Sequence, residues 1–385
     1  MNPPEIEKHW LNILENRKSQ HLFRSFGPLR QPDATDFYSN DYLGLCESPR
    51  SRELLKEELN RPFSLGSSGS RLVSGQQAEL EMLETECSRF FRSETGIFFP
   101  SGFMANLALF SCIAGRHDTI IYDEQAHVSI KEGIRLSPAR SFSFHHNDHE
   151  DLRKKLKNSS GKKFVAIEGI YSMSGHIARL EELLQVCDEA GAVLIIDEAH
   201  SAGVAGEEGE GLAIAKNLEK RIWVRHYTFG KALGASGAFL ALSATARDFL
   251  TNFSFPLIYS TSILPLQVKL CRIQLRELQN SRSQIEALQR IIDFWCRRAE
   301  KESERFSKNE KSPVQFIRIA GNESALGISK RLQERGFQIK AMLSPTVKAG
   351  EEGLRVSLHS YNQPEEIEDL LRTLKEFENI FEVKF

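Results

Sequence analysis

Several features that would point to particular classes of protein are missing from this chain. Its 50 lysine and arginine residues nearly balance 52 aspartate and glutamate residues, so no excess of positive charge is present to bind nucleic acid or an anionic membrane surface. No apolar run reaches transmembrane length, and the segment from Pro4 to Phe23 is charged rather than continuously apolar, unlike a secretory signal. We therefore expect a cytoplasmic protein that acts on a small molecule, with neither nucleic acid nor a membrane as partner.

Paired cysteines and a convincing metal motif are missing as well. None of the six cysteines forms a Cys-x-x-Cys pair, which is typical of reduced thiols in the cytosol rather than of disulfides. The histidines of His145-His146-x-x-His149 have the spacing of metal ligands, but the polar residues around them indicate the start of a helix, so we predict no metal. The cysteines are Cys46, Cys87, Cys112, Cys187, Cys271 and Cys296.

The glycine-rich segments do not match a nucleotide-binding motif. Gly66–Arg71 lacks the Gly-Lys-Ser/Thr ending of a P-loop, and Gly206, Gly209 and Gly211 do not form a dinucleotide fingerprint after a strand. These glycines fit active-site backbone better, with a plain surface loop as the alternative. A nicotinamide-dependent or non-catalytic α/β protein is thereby disfavoured but stays an alternative.

What the chain does contain is an alternation of strand-like and helix-like segments between about residues 65 and 255, together with enough apolar residues for a large core. This alternation predicts an α/β fold with a mostly parallel, seven-stranded sheet covered by helices such as 102–113 and 180–190. The predicted strands are 96–99, 119–122, 141–144, 163–168, 193–197, 222–228 and 238–242.

The C-terminal part of the chain has a different character. A long helical tract over 266–306 leads to a strand, a helix, two strands and a helix, which predicts a small α+β domain. We therefore expect an N-terminal helix and arm (1–45), a large domain (46–275) and a small C-terminal domain (276–385). The small-domain elements are predicted at 314–319, 323–335, 338–342, 354–358 and 364–377.

Lys231 and Asp197 are the residues that carry most chemical information. Lys231 lies among small residues in the segment Tyr227–Gly234, and Asp197 ends the apolar run that begins at Val193. A lysine and an aspartate of this kind are what an enzyme needs to hold pyridoxal 5'-phosphate (PLP). The amine forms a Schiff base with the cofactor aldehyde, and the carboxylate keeps the pyridine nitrogen protonated.

Other polar residues follow the predicted strands, at the edge where open α/β sheets bind ligands. The segment Pro100–Asn106 follows a strand and opens a helix, so its amides and the helix dipole could hold a phosphate, although a capped tight turn is the alternative. His127 and His200 each follow a strand. A lone histidine is more often structural, but two of them at one sheet edge favour a functional role.

With these residues in view, the chain resembles the α-oxoamine synthases, a PLP-dependent family of the fold-type-I (aspartate aminotransferase) class. These enzymes condense an amino acid with an acyl-CoA thioester and release carbon dioxide. The resemblance covers nearly the whole chain in ordered blocks: Ser39–Gly44, Gly66–Gly75, Ser101–Asn106, Glu168–Met173, Asp197–Gly206, Thr228–Gly237, Tyr259–Thr261 and Pro345–Leu358.

The resemblance implies a role for each matching cofactor residue. Lys231 is expected to bind the cofactor and later to remove the Cα proton of the substrate, while Asp197 pairs with the ring nitrogen. His127 is expected to stack on the ring, with His200 and Ser172 near its phenolic oxygen. The residues expected at the phosphate are Gly102, Phe103, Thr228 and, from a second subunit of a homodimer with shared active sites, Ser260 and Thr261.

The resemblance also implies substrate residues. Arg355 is expected to bind the amino-acid carboxylate through its guanidinium group, with Asn40 and His127 nearby, although a strand-edge surface arginine is the alternative for Arg355. Arg24 and Ser357 are expected toward the acyl part of the thioester. The quoted blocks are most similar to members that use L-alanine and a pimeloyl thioester, with glycine- and serine-using members as the alternative.

Overall fold

The computed structural model describes residues 4–24, 26, 33–302 and 310–381. The chain divides into two compact units. The larger unit comprises Asn40–Arg290 and His359–Tyr361, and the smaller one comprises Met1–Ser39, Ile291–Leu358 and Asn362–Phe385.

The helices and strands are numbered in chain order. The helices are α1 (Glu5–Ser19), α2 (Pro49–Leu59), α3 (Ala78–Phe90), α4 (Gly102–Phe110), α5 (Val128–Leu136), α6 (His149–Lys157), α7 (Leu180–Ala190), α8 (Leu212–Ala215), α9 (Ala244–Phe253), α10 (Phe255–Ile258), α11 (Pro265–Gln279), α12 (Arg282–Glu302), α13 (Asn322–Glu334) and α14 (Pro364–Phe381). The strands are β1 (Thr35–Asp36), β2 (Thr95–Phe99), β3 (Thr119–Asp123), β4 (Arg140–Phe144), β5 (Lys163–Glu168), β6 (Val193–Asp197), β7 (Val224–Thr228), β8 (Ala238–Leu242), β9 (Val314–Arg318), β10 (Phe337–Gln338), β11 (Lys340–Met342) and β12 (Gly353–Ser357).

The larger unit is built on a seven-stranded sheet with the strand order β2-β8-β7-β6-β5-β3-β4. The neighbours from β7 through β4 pair in parallel, and β8 is antiparallel to both β7 and β2. The prediction of a mostly parallel, seven-stranded sheet is therefore confirmed.

Both faces of strands β5, β6 and β8 are buried, which explains their nearly continuous apolar runs. In β6, Ile195 belongs to the core on one face, whereas Leu194 and Ile196 belong to the core on the other. Alternate side chains of a strand point to opposite faces, so a strand such as β6 that is buried on both faces has apolar side chains at successive positions. Asp197 is the polar end of such a strand, so a carboxyl group enters an otherwise apolar layer.

The long helical tract predicted over 266–306 is two helices rather than one. α11 ends at Gln279 and α12 begins at Arg282, with Asn280 as the C-cap of α11. The amide of Asn280 bonds to the carbonyl of Glu277 in a tightened last turn, and the carbonyl of Ser281 accepts from Ile285 to begin the next helix. Position 306, the predicted end of the tract, lies outside the described residues.

The smaller unit contains a three-stranded antiparallel sheet in the order β11-β12-β9, and β1 pairs in parallel with β10. The single strand predicted at 338–342 is two short strands separated by Ile339, because β10 pairs with β1 and β11 pairs with β12. β12 is thus the central strand of its sheet. Within the described residues, none of the helices combines the length and apolar character needed to cross a bilayer.

Candidate active site

The carboxyl ends of parallel strands β3, β5, β6 and β7 lie at one edge of the large sheet, where this fold places ligands. In the strand register, Glu168 of β5 lies opposite Asp197 of β6, and Asp197 lies opposite His226 of β7. His127 follows β3 and is the N-cap of α5. Three adjacent strands therefore bring two carboxyl groups and an imidazole side by side at this edge.

Asp197 is buried and is held by three neighbouring groups. Its Oδ1 accepts from the amide of Ala199 at 2.9 Å, and its Oδ2 accepts from Asn106 Nδ2 at 2.8 Å and lies 2.9 Å from His226 Nδ1. Burial alone raises the pKa of Asp197, but the charge and hydrogen bonding of His226, the charge of Lys231 and the Asn106 bond outweigh it, so the pKa lies well below its ordinary value. The carboxyl group is therefore an anion.

Hydrogen bonds continue from Asp197 to His127. Asn106 Nδ2 also donates to Ser129 Oγ at 3.0 Å, and Ser129 Oγ lies 2.7 Å from His127 Nδ1, which also accepts from the amide of Ser129. Since Nδ1 accepts an N–H bond, it carries no proton, and the ring proton of neutral His127 must lie on Nε2. Burial lowers the pKa of His127, which favours this neutral form.

His200 belongs to a second chain of polar contacts. Its Nδ1 lies 2.7 Å from the hydroxyl of buried Tyr42, and the same hydroxyl donates to Asn40 Oδ1 at 3.2 Å. If that hydroxyl donates to Asn40, it accepts the proton of His200 Nδ1, so Tyr42 links the tautomer of His200 to the amide orientation of Asn40. Tyr42 therefore connects two of the predicted site residues, His200 and Asn40.

The N-terminus of α4 has the geometry of an anion site. Ser101 caps the helix by accepting from the amide of Met104, and Gly102 begins the helix. A Cβ atom on Gly102 would lie 3.3 Å from Thr228 Oγ1 and 3.2 Å from His226 Cε1, so only glycine leaves this space open. Phe103 follows with an exposed ring. The predicted phosphate residues Gly102 and Thr228 are thus neighbours at a helix N-terminus.

Lys231 lies in the turn after β7, where Gly234 donates its amide to the carbonyl of Lys231 at 2.8 Å. The charge of Lys231 influences the pKa values of His127, Glu168 and Asp197, which places it within electrostatic reach of all three. The backbone beside it is tightly packed, because a Cβ on Gly203, whose φ is +76°, would lie 2.4 Å from Ala232 Cβ.

Glu168 is the site residue that sequence reasoning passed over most clearly. Its Oε2 accepts from the amide of Ser172 at 3.1 Å, and its carboxyl group also accepts from the amide of His127. Burial, followed by the nearby charge of Asp197, raises the pKa of Glu168 to about 8, so at neutral pH it is mostly a neutral acid. The signal was present in the sequence, because Glu168 ends an apolar strand just as Asp197 does.

Five further residues in these contacts were also missed. Asn106, Ser129 and His226 surround Asp197 or His127, Tyr42 contacts His200, and Thr346 accepts from Arg24 Nη2 at 3.3 Å. Only some of them had a usable signal. His226 is two residues before Thr228 on the same strand and so shares its face, whereas the link between Arg24 and Thr346 spans most of the chain and has none.

The remaining predicted residues are placed as follows. Ser260 and Thr261 follow α10, and in the described part of one chain neither hydroxyl bonds to the groups around Asp197. In the smaller unit, Arg355 Nη1 donates to Ser357 Oγ at 2.9 Å on β12. The alternative that Arg355 is a strand-edge surface arginine is wrong, because the residue is buried on the central strand of its sheet.

These groups fit PLP. The Asp197 carboxylate has about four acceptor positions and three are taken, which leaves one on Oδ1 for a protonated ring nitrogen. A helix N-terminus with an adjacent threonine suits a phosphate, and a lysine within electrostatic reach suits an aldehyde. No group of three or more histidine, cysteine, aspartate or glutamate side chains among the described residues is arranged to hold a metal ion.

A lysine, an ionised aspartate and a helix N-terminus suited to an anion, at one edge of a seven-stranded sheet, are typical of PLP-dependent transferases. The chain belongs to the Aminotransferase class I and II family, whose profile matches residues 32–374, and within it to the α-oxoamine synthases. PLP is accordingly its cofactor, and the nicotinamide-dependent and non-catalytic alternatives are wrong.

Three similar proteins illustrate this relationship. The chain is 34% identical over 373 residues to the 8-amino-7-oxononanoate synthase of Marinobacter nauticus, with 94% of each chain covered. It is 33% identical to the serine palmitoyltransferase of Sphingobacterium spiritivorum, with 95% of this chain and 96% of the relative covered. A structure of a serine palmitoyltransferase variant from S. paucimobilis with bound PLP and myriocin superposes with a TM-score of 0.89, at 25% identity, over 98% of this chain and 99% of that one.

Proposed function

We propose that the protein condenses L-alanine with a pimeloyl thioester, giving 8-amino-7-oxononanoate, free CoA and carbon dioxide in biotin biosynthesis. The observation that carries the reaction type is the group formed by Lys231, ionised Asp197 and neutral His127 at one sheet edge. The choice of alanine and pimeloyl is supported by near-full-length similarity to proteins named for that product. A serine- or glycine-using reaction is the second candidate, since serine palmitoyltransferases are about equally similar.

PLP, when bound, supplies an electron sink for the carbanion at Cα of the amino acid. Lys231 would hold the cofactor aldehyde through its amine, and with that amine free it would take the proton from Cα of the amino acid and return one. Asp197 stays ionised and would hold a proton on the ring nitrogen of the cofactor, which favours loss of the Cα proton. The charge-assisted contact between them contributes on the order of 1.5–3 kcal/mol.

The other side chains orient the reacting groups. His127 presents Nε2–H while its Nδ1 is held by Ser129, so it can donate one hydrogen bond from a fixed ring. His200, oriented by Tyr42, and Ser172 are proposed to bind the phenolic oxygen of the cofactor. Arg355 is proposed to bind the amino-acid carboxylate, since its planar guanidinium group suits that anion.

Residues for the remaining substrate contacts are proposed from the same resemblance. Asn40 is expected near the carboxylate, and Arg24 and Ser357 toward the acyl group. Arg24 is hydrogen-bonded to Thr346, so the two side chains form one polar surface on the smaller unit. We therefore add Thr346 to the residues that contact the thioester.

A homodimer is part of the proposal, with Ser260 and Thr261 reaching the phosphate of the partner's cofactor. The segment that contains these two residues, and the segment against which it packs, support the proposal. Ser67 Oγ bonds to the carbonyl of Ile263 and the carbonyl of Gly69 accepts from Ser262, so the 65–75 and 259–264 segments pack together. The large apolar side chains they leave at the surface are Leu65, Leu72, Val73, Tyr259 and Leu264. A cytoplasmic location is also a proposal, favoured by the six cysteines, which form no disulfide in the described part of the chain.

The test is a steady-state assay with purified, PLP-loaded protein. Alanine, glycine and serine are each combined with pimeloyl-, acetyl- and palmitoyl-CoA, and release of the CoA thiol is followed. We expect the highest kcat/KM with alanine and pimeloyl-CoA, and no thiol release by the Lys231→Ala variant. A preference for serine with palmitoyl-CoA, or glycine with acetyl-CoA, would replace the first proposal with the second.

A further inference from the structure

His226 is a buried histidine to which neither the motifs nor the proposed mechanism assigns a role. It is 2% exposed and lies on β7 opposite Asp197, two residues before Thr228. Its Nδ1 is 2.9 Å from Asp197 Oδ2. An imidazole in this position is part of the polar group at the sheet edge rather than of the apolar layers beneath it.

The other edge of the same ring faces the N-terminus of α4. A Cβ atom on Gly102 would lie 3.2 Å from His226 Cε1 and 3.3 Å from Nε2, with Thr228 Oγ1 at 3.3 Å from the same point. The imidazole therefore occupies the space between the carboxylate that pairs with the ring nitrogen and the residues that fit the phosphate. It lies close to both sets of residues.

The hydrogen bonding of His226 is incomplete within the described part of the chain. Both ring nitrogens are buried, and neither has a well-directed hydrogen bond there, although Nδ1 is at ion-pair distance from Asp197. Leaving a buried polar atom unsatisfied is unfavourable, and native structures contain few such atoms. An apolar residue of similar size would avoid this penalty if His226 only filled space.

The surroundings of Asp197 indicate what the imidazole does there. The carboxylate lies beside a second carboxyl group, Glu168, and in reach of the charge of Lys231. Asn106 holds Oδ2 from one side, and His226 Nδ1 approaches the same oxygen from β7. With Oδ2 approached by two groups, one acceptor position remains on Oδ1 beside the bond from Ala199.

We propose that His226 is a positioning residue for PLP, which donates Nδ1–H to Asp197 Oδ2 and so keeps the carboxylate charged and its Oδ1 available for the ring nitrogen. This inference rests on the proposed role of Asp197 as the partner of that nitrogen. His226 touches neither the reacting carbon nor the thioester. His226 acts through Asp197, so its replacement should change the affinity for PLP and the protonation of the ring nitrogen.

The test compares side chains that separate the Nδ1 donor from the volume of the ring. His226→Asn keeps an amide group near the position of Nδ1, whereas His226→Leu keeps most of the volume without a donor. His226→Gln keeps a polar group but places it nearer to Nε2, so it serves if the leucine variant does not fold. His146→Leu is the matched control, because His146 is also largely buried and lies 3.0 Å from an aspartate, Asp123, on the same sheet.

PLP affinity is measured by fluorescence titration of cofactor-free protein, and the absorption spectrum of the loaded protein is recorded as a function of pH. We expect His226→Leu and His226→Gln to bind PLP about 10-fold more weakly and to shift the pH at which the bound cofactor changes its spectrum. We expect His226→Asn to stay within about 3-fold of wild type. His146→Leu should lower the melting temperature without changing the spectrum.

A purely structural role would give a different pattern. The proposal is overturned if His226→Leu or His226→Gln is less stable but binds PLP with wild-type affinity and spectrum, or if His226→Asn fails as badly as they do. None of these measurements contains an amino acid or a thioester. A failure of the proposed acyl transfer would therefore leave their outcome unchanged, and the two proposals can fail separately.

Discussion

The carboxyl ends of β6 and β5 carry two buried acids, Asp197 and Glu168, that lie directly opposite each other and have opposite protonation states. The pKa of Asp197 is far below its ordinary value, and that of Glu168 is raised to about 8. Both are buried to a similar degree, so burial alone does not explain the difference. The donors around each carboxyl group do.

Asp197 receives the side-chain amide of Asn106, the amide of Ala199 and the contact with His226, whereas among the described residues the donors to Glu168 are backbone amides. One Glu168 oxygen, Oε1, has no hydrogen-bond partner in the part of the chain that the structure describes. Two adjacent carboxylates repel each other, so the pair holds a single negative charge. The acid with more hydrogen-bond donors around it, Asp197, carries that charge. The charge therefore lies on Asp197, the residue that we propose as the partner of the ring nitrogen.

Asp197→Asn should have the largest effect, because it removes that charge while keeping the shape of the side chain. We expect PLP binding and kcat/KM each to fall by about 100-fold, which corresponds to the loss of one charge-assisted contact of about 3 kcal/mol. Fluorescence titration and the thiol-release assay measure the two quantities. Glu168→Gln is the matched control, since the same chemical change one strand away replaces a group that is already neutral.

Asn106→Ala should have the next largest effect. It takes a donor from Asp197 Oδ2 and at the same time leaves Ser129 Oγ without its amide partner. We expect the free energy of unfolding to fall by about 1–3 kcal/mol, the penalty for buried polar groups left unsatisfied. Urea unfolding of cofactor-free protein measures it. Ser129→Ala leaves the bond between Asn106 and Asp197 in place and removes only the bonds made by Ser129 Oγ. If it lowered the free energy of unfolding as much as Asn106→Ala does, the prediction would be wrong.

The position of the site residues at strand ends was predictable from the sequence, whereas the hydrogen-bond partners of these residues were not. Asp197, His127 and Thr228 follow or end apolar strands, and that pattern alone places them at one sheet edge. The protonation states depend on contacts such as the one between Asn106 and Asp197, which join residues far apart in the chain. The break at Asn280 was equally hidden, because Asn and Ser in a charged helical pattern are compatible with continuation as well as with capping.

The pH dependence of stability should distinguish the two acids. The pKa of Glu168 is raised in the folded state. Its contribution to the free energy of unfolding is therefore fully present below pH 4.5, its ordinary pKa, and is lost as the pH rises toward about 8. The pKa of Asp197 is lowered, so its contribution to the free energy of unfolding is lost as the pH falls below about 3.8. We expect the free energy of unfolding of wild type, relative to Glu168→Gln, to fall by up to about 1.4 kcal/mol per pH unit between these limits. Parallel urea titrations of both cofactor-free proteins measure the difference, and a flat difference between pH 5 and 8 would show that Glu168 is ionised.

The smallest effect should be that of Glu168→Gln on the cofactor itself. A glutamine can still accept from the amides of Ser172 and His127 through its carbonyl oxygen, and its amide group replaces the protonated oxygen of the acid. The segments that carry His127 and Ser172 should therefore keep their positions, and PLP affinity at pH 7 should change by about 3-fold or less. Glu168→Ala removes the acceptor and should weaken PLP binding more than glutamine does. If glutamine and alanine weakened PLP binding equally, the acceptor oxygens of Glu168 would not be what holds these segments in place.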